Sequence, residues 1–273
     1  MTALLKTKDS TQTTVATFQK TDTPPESESV RRIVLVTGGT GGIGTAICRK
    51  LAQMGHIVAT TYRNEEKAKL WQEQMRREGF DIKIYKCDVA DFEDASRTVR
   101  EVTKDLGPIG ILVNNAGITR DSSLRKMTID QWRDVISCDL DSVFNVTRPA
   151  IEYMLDRGFG RIINISSING QKGQFGQSNY AAAKAGMHGF TKALAQEVAK
   201  KGITVNTISP GYIETDMIMS VPENIRAGIM GQIPVGRFGT PEEVAHVVSF
   251  LAENGSSFIT GANIAMNGGQ YME

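Results

Sequence analysis

Three residues in the second half of the chain have types and spacing that suit proton transfer to a substrate oxygen: Ser167, Tyr180 and Lys184. Tyr180 and Lys184 stand four residues apart in a segment of helical periodicity, so both side chains lie on one face with the cation beside the phenol. A neighbouring ammonium favours the phenolate, and such a tyrosine exchanges a proton more readily near neutral pH. Ser167 lies at the end of the strand-like segment 161–166 and can hydrogen-bond the same oxygen. The pattern indicates a proton-transfer site, although a Tyr–Lys pair alone also arises by chance.

A glycine-rich segment near the start of the chain has the features of a dinucleotide-binding turn. Residues 33–36 form a short β-branched apolar run, typical of a strand buried on both faces, and a helical pattern follows the glycines. Glycines let the backbone approach a pyrophosphate, which rests on the helix N-terminus. A tight connection between strand and helix is the alternative interpretation. The predicted cofactor contacts in this turn are Gly38, Thr40, Gly41, Gly42, Ile43 and Gly44.

The end of the second predicted strand indicates which nicotinamide cofactor is used. In Rossmann-type proteins a carboxylate at this position holds the adenosine ribose of NAD(H). Here residues 57–61 lead into Arg63, whose cation suits the 2′-phosphate of NADP(H), unless it is an ordinary solvated charge. Asp88 ends the third predicted strand and is placed either to contact the adenine edge or to cap the helix that begins near Asp91.

With these residues assembled, the chain resembles the short-chain dehydrogenase/reductase family from about Arg32 to the C-terminus. The resemblance is carried by the segments 37–44 (TGGTGGIG) and 114–117 (NNAG), by the Ser–Tyr–Lys set, and by Pro210 with Gly211. Three further segments (115–121, 169–186 and 209–217) are similar to the acetoacetyl-CoA reductases of polyhydroxyalkanoate synthesis. That branch reduces 3-oxoacyl thioesters to (R)-3-hydroxyacyl thioesters with NADPH, and the 3-oxoacyl-ACP reductases of fatty-acid synthesis are its near relatives.

The resemblance implies a role for each matching residue. Tyr180 would protonate the nascent alkoxide, Ser167 would orient and polarise the carbonyl, and Lys184 would assist the tyrosine and hold the nicotinamide ribose. Asp139 stands where the family usually has a catalytic asparagine. In the family that position also acts through its backbone carbonyl, so we expect activity to survive the aspartate. The aspartate adds a negative charge near Lys184, which either stabilises the ammonium or disturbs the proton relay. The further cofactor contacts that the resemblance implies are Asn115, Gly117, Pro210, Gly211 and Thr215.

Polar residues around a glycine-punctuated loop are candidates for substrate binding. Amide side chains in this loop suit the oxygens of a thioester, although each residue is alternatively an ordinary solvent-facing one. The predicted substrate pocket consists of Asp121, Gln174, Phe175, Gln177 and Tyr212. Segment 215–239 is predicted to be a Met-rich substrate lid, unless its methionines pack in the core. Arg120, Arg125 and Lys126 are candidates for contacts with the phosphates of coenzyme A.

The carrier of the acyl group is only partly indicated. The ACP reductases tend to have a basic docking residue where this chain has Gly158 and Phe159, with Arg157 adjacent. This difference favours a CoA thioester without settling the question. A family member that binds NADP(H) as a regulator, without turnover, is the alternative from another functional class.

Composition excludes several other classes. The net charge of +1 gives no reason to expect nucleic acid or a membrane as partner, and no apolar run is long enough to span a bilayer. The three cysteines lack CxxC spacing, and the three histidines lack metal-ligand spacing, so we expect no metal. Residues 1–31, without a hydrophobic stretch of signal-peptide length, are predicted to be a disordered tail, and the protein is expected in the cytoplasm.

The elements that must position these residues alternate between strand and helix along residues 32–273. Apolar runs occur at 33–36, 57–61, 82–86, 110–113, 161–165, 203–208 and 262–265. This alternation predicts one α/β domain with a single doubly wound parallel sheet (a Rossmann fold) of about seven strands. The resemblance implies the strand order 3-2-1-4-5-6-7 and a homotetramer built on the long helices around 128–155 and 178–201. Ligands of such sheets bind at the carboxyl ends of the strands, where the candidate residues fall.

Overall fold

The computed structural model describes residues 30–272 and contains one parallel sheet of seven strands in the order β3-β2-β1-β4-β5-β6-β7. The predicted fold class and strand order are therefore confirmed, and no predicted strand end is off by more than two residues. The strands are β1 (Ile33–Val36), β2 (Ile57–Tyr62), β3 (Lys83–Lys86), β4 (Ile109–Asn114), β5 (Gly160–Ile165), β6 (Ile203–Pro210) and β7 (Asn263–Met266).

Helices connect the strands. They are α1 (Gly42–Gln53), α2 (Glu65–Arg77), α3 (Phe92–Leu106), α4 (Ile129–Ile136), α5 (Ser142–Arg157), α6 (Ile168–Lys172), α7 (Ser178–Val198), α8 (Asp216–Met219), α9 (Glu223–Met230) and α10 (Pro241–Ala252). A π-helical turn, Ser137–Asp141, joins α4 to α5. Two short 3₁₀ turns follow α7 and α10, at Ala199–Lys201 and Asn254–Ser256.

Both faces of the sheet are covered, which explains why the central strands consist of nearly continuous apolar residues. Val34 and Val36 of β1 pack in one core with α1, α2 and α10, whereas Leu35 points to the other core, with α3, α5 and α7. All six residues of β4 and all eight of β6 are buried. The carboxyl ends of these rigid strands therefore form a fixed edge for a site.

Side-chain caps fix where several helices begin. Asp91 accepts a hydrogen bond from the amide of Asp94 and caps α3. The alternative that Asp88 caps this helix is therefore wrong: Asp88 instead accepts from the amide of Ala90, in the turn before the helix. Thr240 and Glu243 form a reciprocal capping box at the start of α10, with Pro241 at its first position.

Three further predictions concern the N-terminal tail, the methionine-rich segment and membrane-spanning helices. The tail prediction for 1–31 lies outside them except at its last two positions. Of the methionines in segment 215–239, Met219 and Met230 have exposed side chains, so these two do not pack in the core. Among residues 30–272, no helix combines the length and apolar character needed to cross a membrane.

Candidate active site

A cleft of about 580 Å³ opens at the carboxyl ends of β1, β2, β4, β5 and β6. It brings together most of the site residues that the sequence predicted, from segments spread over the whole sheet. Those lining it are Gly38, Thr40, Gly41, Gly42, Ile43, Gly44, Arg63, Asn115, Gly117, Ser167, Tyr180, Lys184, Pro210, Gly211 and Thr215. The predicted dinucleotide turn and the predicted proton-transfer residues thus share one cavity.

Lys184 is held at the bottom of this cleft by two partners. Its Nζ donates to the carbonyl oxygen of Ile165 at 3.1 Å and lies 3.3 Å from Oδ2 of Asp139. The same Nζ is 5.4 Å from the centre of the Tyr180 ring, as expected for residues one helical turn apart on α7. The cation is therefore fixed beside the tyrosine by a buried ion pair.

Asp139 is fully buried and anchored on both sides. Its Oδ1 accepts from the amide of Ile118 at 2.8 Å, and its Oδ2 faces Lys184. Burial raises the pKa of Asp139, and the ammonium only partly opposes this. Burial alone would lower the pKa of Lys184, but Asp139 and Tyr180, with a smaller contribution from Cys138, together outweigh it and the pKa of the lysine is raised. The pair therefore favours the ammonium form of Lys184.

The π-helical turn explains how Asp139 comes to face the lysine. A π turn inserts one extra residue into a helix and redirects its side chains, and such turns are frequent at functional sites. Asp139 lies in the middle of Ser137–Asp141, and Gly117 packs against the resulting pair. The resemblance predicted a negative charge near Lys184, and the structure places it 3.3 Å away, but helical periodicity gave no sign of the π turn.

Thr37 and Asn115 join the glycine-rich turn to the end of β4. The hydroxyl oxygen of Thr37 accepts from the amides of Asn115 and Ala116, both at 3.0 Å. In return, the side-chain amide of Asn115 donates to the carbonyl oxygens of Thr37 at 3.0 Å and Gly38 at 3.1 Å. These four bonds fix the shape of the turn and leave its exposed glycines toward the cleft.

The glycines of the turn serve two different purposes. A Cβ on Gly39 would lie 2.2 Å from Oγ1 of Thr60 and 2.7 Å from Sγ of Cys48, so this glycine permits packing against the core. A Cβ on Gly41 would meet nothing closer than the Gly38 carbonyl oxygen at 3.7 Å, so its open side faces the cleft. The sequence identified the turn but could not separate these roles.

Replacing Gly39 by alanine is expected to lower the free energy of unfolding by about 1–3 kcal/mol, because the new methyl group overpacks a buried site. The matched control Gly41→Ala should cost less than about 1 kcal/mol, since only the exposed start of α1 changes. Chemical denaturation without cofactor measures both values. Equal losses in the two variants would contradict the packing role of Gly39.

Arg63 is the cation at the ribose end of the cleft. Its side chain is exposed and pairs with no carboxylate among residues 30–272. The neighbouring Asn64 caps α2 by accepting from the amide of Lys67 at 3.0 Å, which fixes the backbone beside the arginine. Asp88 does not line the cleft, although Cys87 and Val89 on either side of it do. Its contact with adenine stays a prediction.

The predicted substrate residues separate into two groups. Gln177 donates to Asp121 at 2.9 Å and accepts from Asn169 at 2.9 Å, so these side chains form one hydrogen-bonded row. Tyr212 is half-buried, and burial together with the Asp121 carboxylate raises its pKa. In contrast, Gln174 accepts from Lys172 at the surface and Phe175 is 89% exposed.

The three basic residues beside the cleft differ in whether they form an ion pair. Arg120 lies 3.5 Å from the carboxylate of Asp134, a loose ion pair at the surface. Arg125 and Lys126 are exposed. Within residues 30–272, no group of three or more His, Cys, Asp or Glu side chains is arranged to hold a metal ion.

Ser167 serves locally as the cap of α6. Its hydroxyl oxygen accepts from the amide of Asn169 at 3.1 Å, which leaves its proton available to an oxygen in the cleft. The side chain is nearly buried at the end of β5 and lines the cavity together with Tyr180. A hydroxyl and a phenol with an adjacent ammonium can together hold and protonate a single oxygen.

Comparison with known proteins agrees with this geometry. The family model for short chain dehydrogenase matches residues 32–226. An acetoacetyl-CoA reductase of Allochromatium vinosum is 56% identical over 243 residues, which cover 88% of this chain and 99% of that protein. One from Rhizobium meliloti is 56% identical over 242 residues, covering 88% and 98%. The 3-oxoacyl-[acyl-carrier-protein] reductase FabG of Pseudomonas aeruginosa is 44% identical over 241 residues, covering 88% and 98%. The chain belongs to the short-chain dehydrogenase/reductase family.

Proposed function

We propose that this protein reduces acetoacetyl-CoA to (R)-3-hydroxybutyryl-CoA with NADPH. The observation that carries the proposal is the shared cleft, in which Ser167, Tyr180 and the buried Lys184 lie together with an open glycine-rich turn. The names of the relatives at 56% identity supply the substrate. We also propose that the reaction serves polyhydroxyalkanoate synthesis and that the protein acts in the cytoplasm.

The residues of the cleft fit a nicotinamide dinucleotide. Gly41 leaves the mouth of the turn open to a pyrophosphate at the start of α1, and Arg63 offers, at the ribose end, a cation that pairs with no carboxylate in the described part of the chain. Pro210 and Gly211 also line the cleft, where they would flank the nicotinamide, and Thr215, beside Gly42, would contact the nicotinamide amide or a phosphate. When bound, NADPH supplies the hydride.

The chain's own groups supply the proton and hold the substrate. Ser167 donates its hydroxyl hydrogen to the carbonyl oxygen and polarises it. Tyr180 then gives its phenol proton to the same oxygen as negative charge develops there. Lys184 stabilises the resulting phenolate by its charge, and Asp139 keeps that ammonium in place. We propose Asp121, Gln177 and Tyr212 as the substrate-binding group, with Gln174 and Phe175 at its outer edge.

Asp139→Asn tests whether the carboxylate sets the charge of Lys184. Because Asp139 raises the pKa of the lysine, the ammonium persists to higher pH than it would without this partner. We expect the variant to remain active near neutral pH, but its activity should fall at a lower alkaline pH than that of the parent protein. The pH profile of kcat/KM for reduction measures the shift, and an unchanged alkaline limb would contradict the role.

Arg63→Ala tests the choice of NADPH. Loss of a charge-assisted contact worth about 1.5–3 kcal/mol should raise the KM for NADPH roughly 10- to 100-fold. The KM for NADH should change little, because that cofactor has no 2′-phosphate. Arg76→Ala, an exposed arginine in the last turn of α2, is the control and should affect neither cofactor. An equal effect on both cofactors would contradict the assignment.

Two observations favour CoA over ACP as the carrier. Identity to acetoacetyl-CoA reductases reaches 56%, although one of them is 44% identical, the same value as the ACP reductase. Gly158 and Phe159 stand where the ACP reductases tend to have a basic residue, and neither carries a charge, although Arg32 and Arg161 lie against the Phe159 ring with guanidinium carbons 3.6 Å and 4.5 Å from its centre. Rates with acetoacetyl-CoA and acetoacetyl-ACP under equal NADPH decide between the two, and a faster ACP reaction would move the protein to fatty-acid synthesis.

We propose a homotetramer as the working assembly. Phe92 of α3 and Phe144 of α5 are exposed and stacked, with ring centres 5.9 Å apart. Trp132 of α4 is partly exposed as well. Large aromatic side chains on an outer face are typical of surfaces that a second subunit covers.

A further inference from the structure

His188 lies on the same stripe of α7 as the proposed catalytic residues. Tyr180, Lys184 and His188 recur every four residues, so one helix face presents all three to the sheet. The Nε2 atom of His188 lies 3.0 Å from the hydroxyl oxygen of Ser166 and 3.2 Å from that of Ser209. One nitrogen thus contacts the residue that follows β5 and a residue near the end of β6.

The hydroxyl hydrogens of Ser166 and Ser209 indicate whether His188 acts as a donor or an acceptor toward them. The Ser166 hydroxyl donates to the backbone carbonyl oxygen of Lys184 at 2.9 Å, and the Ser209 hydroxyl donates to Oδ1 of Asn263 at 2.7 Å. A hydroxyl carries a single hydrogen, and a carbonyl oxygen can only accept. Both serine oxygens are then left as acceptors, an arrangement that favours the His188 tautomer with its hydrogen on Nε2, shared between them.

This shared bond lies where the sheet ladder between the two strands stops. The last β5–β6 pair is Ile165 with Ile208, and one more backbone bond runs from the amide of Ser166 to the carbonyl oxygen of Ile208 at 2.8 Å. Beyond this point the chains separate toward Ser167 on one side and Pro210 on the other. Both of those residues line the cleft.

We infer that His188 is a positioning residue, whose Nε2–H fixes the distance between the substrate side and the nicotinamide side of the cleft. The inference rests on the proposed function, because Ser167 would hold the substrate and Pro210 with Gly211 would flank the nicotinamide. Hydride transfer depends steeply on the separation of the two reacting carbons, and a misplacement of about 1 Å costs on the order of 100-fold in rate. The same Ser166 hydroxyl also ties the histidine to the backbone of Lys184.

Two variants separate the hydrogen bond from simple packing. His188→Leu fills the space without a donor, whereas His188→Gln keeps an N–H at a similar distance from the helix. We expect His188→Leu to lower kcat roughly 10- to 100-fold with KM values for NADPH and acetoacetyl-CoA little changed. His188→Gln should restore most of the rate. A His188→Leu protein with the parental kcat, or a His188→Gln protein as slow as the leucine variant, would overturn the inference.

A measurement on the unaltered protein covers the case in which the variants fold poorly. Two-dimensional NMR of protein labelled with ¹⁵N in its three histidines reports which ring nitrogen carries the hydrogen. His56→Gln and His246→Gln assign the His188 signal by exclusion. We expect the Nε2–H form, and a neutral ring with its hydrogen on Nδ1 would overturn the inference. If the parent protein did not reduce acetoacetyl-CoA, the proposed function would fail, while this spectrum would still decide the hydrogen bond.

Discussion

Replacing Tyr180 by phenylalanine is expected to lower kcat for acetoacetyl-CoA reduction by roughly 10²- to 10⁴-fold, the usual contribution of a positioned proton donor. The ring remains in place above the Lys184 ammonium, 5.4 Å from its centre, so the cleft keeps its shape. The only contact that the bound dinucleotide loses is the one with the Tyr180 hydroxyl. We therefore expect NADPH affinity, measured by fluorescence titration, to change little.

Tyr85→Phe provides the control for this variant. Tyr85 lies on β3 and does not line the cleft, and its hydroxyl donates to the carboxylate of Asp105 at 3.2 Å, so turnover should be unaffected. A Tyr180→Phe protein with nearly parental turnover would contradict the assignment of the proton donor. The combination of retained binding and lost turnover also separates an enzyme from a non-catalytic NADP(H)-binding regulator.

Replacing Gly117 by alanine is expected to lower kcat on the order of 100-fold, because it moves the lysine. A Cβ at this position would lie 2.7 Å from Oδ2 of Asp139 and 3.1 Å from Nζ of Lys184, closer than a methyl group tolerates. Asp139 is fully buried and bonded to the amide of Ile118, so the flexible end of Lys184 is the group that must move. The lysine should therefore leave its place beside Tyr180.

Gly189→Ala is the matched control, because nothing lies within 4 Å of the position its Cβ would occupy on α7. Steady-state kinetics of both variants, with thermal unfolding as a check on folding, test the prediction. In the double variant Gly117→Ala/Asp139→Ala the new methyl group gains room. The loss of kcat should therefore be smaller than the combined losses of the two single variants. Additive losses, or a Gly117→Ala protein of parental activity, would show that the pair does not depend on this glycine.

The sheet could be predicted closely because its central strands are buried on both faces. Residues 33–36, 110–113 and 203–208 are short apolar runs bounded by turn residues, and such runs have few other places in an α/β fold. The glycine-rich turn and the Tyr180–Lys184 spacing depend only on local geometry, so they too could be recognised. Their meeting in one cleft follows from the position of the strand ends in a parallel sheet.

Contacts between distant segments could not be predicted in the same way. The proximity of Asp139 to Lys184 was implied by the family resemblance alone, because helical periodicity gives no signal for the π turn that contains Asp139. Gln177 and Phe175 stand two residues apart in one polar loop, yet one is bonded to Asp121 and the other is exposed. That difference comes from Gly176, whose positive φ of 81° turns the chain between them.

The most direct test of the account is the reduction of acetoacetyl-CoA by the full-length protein, followed as NADPH oxidation with chiral analysis of the 3-hydroxybutyryl-CoA formed. We predict turnover with NADPH well above that with NADH, and a product of (R) configuration. Absence of turnover, or an (S) product, would contradict the proposed function and the arrangement of Ser167 and Tyr180 on which it rests.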